Sequence, residues 1–121
     1  MKLVNDFYDI IATASTDDGF RCKVRLNSDH PLYRVHFPGN PVTPGVCLIQ
    51  IATEILEQEY HKMLLLSKAD SIKFKKTVGS NGQPTFVFTK TVVDSDCLST
   101  RVSIEDEEAQ YVKMSLHYHI A

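Results

Sequence analysis

His36 opens the run HFPGNPVTPG, residues 36–45, in which Pro38, Pro41 and Pro44 recur every three residues and stiffen the chain. An imidazole exchanges protons near neutral pH, so a histidine presented by such a run is a candidate general base. Gln50 stands fourteen residues on, and Glu54 one helical turn further, both inside an otherwise apolar stretch. Polar groups placed there must find partners: a backbone group, another subunit or a ligand. His117 and His119 are spaced to share one strand face and could hold a metal, but no cysteine or acidic cluster flanks them, and a solvated face is the simpler reading. Cys47 sits among apolar neighbours and reads as a small core residue rather than an activated thiol. Lys68, Lys73, Lys75 and Lys76 form the dense basic cluster, either a solvated strand edge that resists aggregation or a dock for an acidic partner.

These side chains need elements to carry them. Residues 8–14 are apolar before the turn-forming residues 15–19, which predicts a first strand, with helix as the alternative. Phe20, Cys22, Val24 and Leu26 alternate with Arg21, Lys23 and Arg25, the pattern of a strand with one wet face. Residues 27–43 hold Pro31, Pro38, Pro41 and Gly39 and predict neither helix nor strand; so long a loop in a small domain is usually functional. From Pro44 onward Val46, Leu48, Ile49, Ala52, Ile55, Leu56, Tyr60 and Met63 fall at three- and four-residue spacing. That predicts a helix, with Thr43 as N-cap and Pro44 at the first helical position, buried at its start and wet at its end. Residues 71–75 alternate, residues 79–82 turn, and residues 85–93, 97–105 and 110–120 are rich in Val, Thr, Phe and Tyr. Leu98, Thr100, Val102 and Ile104 should share one face, as should Val112, Met114, Leu116, Tyr118 and Ile120. The layout is α+β, one domain over residues 1–121, with a six-stranded antiparallel sheet wrapped around one long central helix.

Composition narrows the function classes. Among 121 residues, 43% are hydrophobic and 23% charged, as in an ordinary globular domain. A net charge of −2 gives no global electrostatic reason to bind nucleic acid or an anionic membrane. Asp6 and Asp9 interrupt the first apolar stretch, which therefore does not read as a signal peptide, and no run approaches a membrane span. Cys22, Cys47 and Cys97 are odd in number and far apart, which suits reduced thiols in a cytoplasm.

The run HFPGNPVTPGV, residues 36–46, resembles the active-site segment of the 3-hydroxyacyl-(acyl-carrier-protein) dehydratases, HFPGxPxxPGV leading into a central helix. Pro31-Leu32-Tyr33 before it and residues 72–78 after the helix resemble the family's flanks, so the likeness covers nearly the whole chain. The resemblance implies the hot-dog fold, a homodimer or higher even oligomer with sites at the subunit interface, and syn loss of water from a 3-hydroxyacyl thioester on a phosphopantetheine arm. It implies no cofactor and no metal. His36 becomes the base, and Phe37, Gly39, Pro44, Gly45 and Val46 become substrate-binding positions. The amides of Gly45 and Val46, at a helix start, suit the charge that develops on the thioester oxygen. Lys73, Lys75 and Lys76 become a dock for acyl carrier protein.

Two departures bear on the chemistry. The family carries a carboxylic acid where this chain has Gln50, and Glu54 stands where the family usually has Gln. An amide can hold a hydroxyl but cannot protonate it. Glu54 reaches the site through a water, His36 performs both proton transfers, or the protein no longer dehydrates. The alternatives to a hydro-lyase are accordingly a non-catalytic hot-dog subunit, an acyl-thioester-binding module, and a thioesterase on the same fold. Val35 also replaces a Gly usual before the histidine, which bears on the loop's conformation.

Overall fold

The computed structural model of the chain describes residues 2–35, 39 and 41–121. Strict alternation yields the second strand as expected: β1 spans Tyr8–Ser15 and β2 spans Phe20–Leu26, whose apolar residues are all buried and whose basic residues are all exposed. The proline-rich segment holds one helical turn, α1, Leu32–Val35, against the expectation of no helix. Pro31 has φ preset for a helical start and no N–H to lose, so a turn can begin beside it. The long helix α2 is Gly45–Tyr60. β3 spans Leu64–Phe74, β4 Thr85–Val93, β5 Cys97–Glu105 and β6 Gln110–Ile120.

The six strands pair antiparallel, in the order β1-β2-β4-β5-β6-β3, leaving β1 and β3 as edges. Leu98, Thr100, Val102 and Ile104 of β5 and Val112, Met114, Leu116 and Tyr118 of β6 are buried on the same side, facing Leu48, Ile51, Ala52, Ile55 and Leu56 of α2. Ile120, at the strand end, is partly buried against this core. Among the described residues no helix is long and apolar enough to cross a membrane.

Three boundaries differ from expectation. Pro44, not Thr43, is the N-cap of α2, in extended backbone and with no side-chain cap. Thr43 is occupied elsewhere: its Oγ1 meets the Tyr33 hydroxyl at 2.8 Å and donates to the Gly79 carbonyl at 3.0 Å. At the other end His61 takes the left-handed conformation at φ 54° and its N–H caps the Glu57 carbonyl, so Met63 lies beyond the helix and is exposed. β3 starts seven residues before the alternating stretch. Its register shifts at two places, between Leu66 and Lys68 and between Asp70 and Lys73, and Ser71 has φ 51°. Each bulge inserts a residue and erases the period-two pattern.

Candidate active site

The His36 run is flanked on either side by described residues that are anchored to the core. Before it, Tyr33 of α1 is buried, stacks on Phe7 at 5.1 Å and reaches Thr43 through its hydroxyl. After it, Val42 bridges Gly79 and the Thr43 amide donates to the Val78 carbonyl at 2.7 Å. His36 and Phe37, the expected base and a substrate-binding position, lie outside the described residues, as does Pro38. Gly39 is exposed and sits at φ 87°, a conformation that a side chain would strain.

Pro44 and Gly45 lead into α2 and line a cleft of about 370 Å³, bounded also by Val42, Leu48, Phe74 and Val78. The Pro44 carbonyl accepts from the amides of Cys47 and Leu48, so the Gly45 and Val46 amides, two residues earlier, have no intrahelical acceptor. They present the positive end of the helix to an anion or oxyanion. The Val46 side chain points outward, 74% exposed. Gly45 also has a packing reason: a Cβ there would lie 2.9 Å from the Phe74 ring, which has to swing aside.

Gln50 and Glu54 come together as the four-residue spacing requires, but Glu54 faces away from the cleft at the helix start. It is 4% exposed and lines a separate cleft with Lys2, Val4 and Tyr8. Its carboxylate collects four donors: Leu3 N–H at 2.7 Å, Val4 N–H at 2.8 Å, Gln50 Nε2 at 2.8 Å and the Tyr8 hydroxyl at 3.1 Å. Four hydrogen bonds compensate a buried carboxylate for lost water. Burial first, and then the Glu54 charge, push the Tyr8 phenol far above its ordinary range, so it stays a donor. The sequence signals that Glu54 needs partners; it gives no sign that they come from residues 3–8.

Burial raises the Cys47 thiol, as befits a core residue at this helix start. Lys73, Lys75 and Lys76 are exposed beside the cleft, with Lys113 opposite Lys73 across the β3–β6 ladder. Lys75 Nζ donates to Gln110 at 2.6 Å. Lys68 is set apart from this group, paired with Asp70 at 3.3 Å, and its hydrogen bond lowers that carboxyl. Asp70 also meets His117 at 3.6 Å, and among the described residues no three side chains form a metal-binding group. A further cleft, about 800 Å³ between the 79–85 loop and the β5–β6 turn, shares Val78 with the first and is lined largely by loop residues and by mixed charges.

A helix within an antiparallel six-stranded sheet, with a proline-rich segment feeding the helix start, defines a hot-dog domain. The sequence profile of the ApeI-like family, described as ApeI dehydratase, matches residues 12–113, and the chain belongs to that family. Over 79 residues it is 32% identical to a 3-hydroxyacyl-(acyl-carrier-protein) dehydratase FabZ of Lactobacillus helveticus, covering 60% of this chain and 53% of that protein. Over 60 residues it is 30% identical to the FabZ of Chloroflexus aggregans, covering 44% and 42%. The chain thus spans about half the length of these curated relatives. Among solved structures, the dehydratase heterocomplex ApeI:P of Xenorhabdus doucetiae superposes with a TM-score of 0.67 at 16% identity, over 91% of this chain and 96% of that one. A thioesterase of Haemophilus influenzae superposes with a TM-score of 0.62 at 15% identity, over 94% and 78%. At such identities the likeness is one of fold.

Proposed function

We propose that the protein dehydrates a 3-hydroxyacyl thioester carried by acyl carrier protein to the trans-2-enoyl thioester, in fatty-acid or related lipid or polyene synthesis. His36 takes the proton from the carbon next to the thioester, and the Gly45 and Val46 amides hold the oxygen on which charge builds. The bond to the 3-hydroxyl then breaks, and the same imidazole, now protonated, gives its proton to the departing oxygen. Syn geometry allows this, because both groups leave from one face. The observation that carries the reading is the 2.8 Å bond from Gln50 Nε2 to Glu54. It supports reading the amide at the family's acid position as the group that holds the hydroxyl, while Glu54 is engaged by four donors. Membership in a dehydratase family favours this chemistry over thioester hydrolysis.

The exposed edge favours pairing with a second copy. β3 carries Leu65 at 60% and Phe74 at 60% exposure along a free strand edge, a surface that soluble proteins ordinarily cover. The cluster of Lys73, Lys75, Lys76 and Lys113 suits the acidic surface of a carrier protein. Lys73→Glu with Lys75→Glu should weaken carrier binding and flatten its salt dependence; unchanged affinity would remove that dock.

Enoyl-thioester formation by the purified protein, against His36→Ala, tests the reading. Loss of at least about a hundredfold in the variant is expected, with no free thiol released. Equal rates would remove His36 as the base, and thiol release would point to a thioesterase.

A further inference from the structure

From the four-donor node on Glu54 we infer that this residue is a positioning residue, which transmits the docking of the N-terminal segment to the amide of Gln50. The inference rests on the dehydratase reading for its kinetic consequence, though not for its geometry. A carboxylate only accepts, so the end of Gln50 turned toward Glu54 is its NH₂ group by chemical necessity. The other end of the amide is therefore the carbonyl oxygen, an acceptor by its chemistry. Glu54 Oε2 is shared between Gln50 Nε2 and the Leu3 amide, while Oε1 takes the Val4 amide and the Tyr8 hydroxyl. Gln50 is thereby oriented by a group that residues 3–8 hold in place.

The same segment is fastened to the approach of the His36 run. Phe7 is fully buried, stacked on Tyr33 and edge-on to His30 at 5.0 Å. Asp6 meets His30 Nε2 at 3.2 Å, and the Asp6 carbonyl accepts from Asn27 Nδ2 at 2.8 Å. Residues 3–8 therefore tie the Gln50 side of α2 to the turn that precedes His36. A glutamine at position 54 would present one acceptor oxygen to four donors and weaken the hold of position 54 on the Gln50 amide.

The test is a double-mutant cycle of Glu54→Gln and Gln50→Ala on the full chain, read in kcat and KM for enoyl-thioester formation. Glu54→Gln should lower kcat by at least about tenfold, the scale of one hydrogen bond to a charge, with KM changed less than about twofold. In the Gln50→Ala background it should cost nothing further. Equal losses in both backgrounds would overturn the inference and leave Glu54 as support for the fold. Glu54→Asp, which keeps the charge one methylene short, gives the same cycle should Glu54→Gln fold poorly. An arm independent of activity follows the Gln50 side-chain amide protons by NMR. Wild type should show a downfield, slowly exchanging proton that Glu54→Gln returns to the ordinary range; an unchanged resonance would overturn the coupling. A wild type that forms no enoyl product while showing that resonance counts against the dehydratase reading alone.

Discussion

At the scale of single residues, the chemistry turns on which polar group sits at position 50 and what occupies its neighbour. Gln50→Glu would bring two carboxyls to the separation now spanned by the 2.8 Å hydrogen bond. Like charges that close hold one proton between them, which raises the folded-state pKa above the unfolded value. The contribution of such a pair is present below the unfolded carboxyl pKa and is lost as pH rises through the folded one. The variant should therefore match wild-type stability near about pH 4 and fall short by about 1–3 kcal/mol by pH 8, measured by urea denaturation at both values. The shared proton is also a general acid in reach of the site, so dehydration should rise by roughly tenfold to a hundredfold in mildly acid solution. Identical pH dependence in the two proteins would show that the carboxyls do not meet. That residues 50 and 54 meet was legible from spacing, because residues four apart share a helix face, whereas the exchange of amide and acid was legible only through the family resemblance. The three donors to Glu54 from the N-terminal segment were not legible, since no local pattern connects Leu3, Val4 and Tyr8 to a helix some fifty residues away.

At the scale of elements, α2 is held by its buried side and the His36 run by the described residues that flank it. Ile51 is fully buried between helix and sheet, and Ile51→Ala should cost about 2–5 kcal/mol, seen as a lower midpoint in thermal or urea unfolding. Thr43→Val removes the hydroxyl that meets Tyr33 and Gly79 at the exit of the His36 run. It should cost about 1–2 kcal/mol and, by loosening the run, lower dehydration more than the stability change alone would at temperatures where the fold is intact. Activity falling only in proportion to folded protein would show that this anchor is structural. Strands with one wet face announced themselves by alternation: β2, β4, β5 and β6 lie where the pattern puts them. β3 hid its first seven residues because two bulges break the period that sequence reading relies on. The N-cap was misassigned because Thr43 has the right chemistry for a cap, and only tertiary contacts show that it serves Tyr33 and Gly79 instead.

At the scale of the whole molecule, the buried phenols set an alkaline limit. Burial pushes Tyr118 up from 10.0 to about 12, and burial with the Glu54 charge pushes Tyr8 higher still. Folded-state pKa values raised above the unfolded one mean that this stability is intact below pH 10 and is lost as pH rises through about 12. Tyr118→Phe should flatten the alkaline decline in unfolding free energy; an unaltered slope would show that this phenol ionises freely in the fold. The exposed apolar edge of β3 predicts self-association, and Leu65→Lys with Phe74→Lys should shift the protein toward monomer in sedimentation, with loss of activity if sites form between copies. The central claim is that one imidazole serves as base and then acid, with Gln50 holding the hydroxyl. It is tested most directly by the pH profile of kcat/KM for enoyl-thioester formation. The account predicts a single rise through one ionisation near neutral pH, absent in His36→Ala, followed by a plateau. A bell-shaped profile in wild type, which requires a second titrating acid, would contradict it.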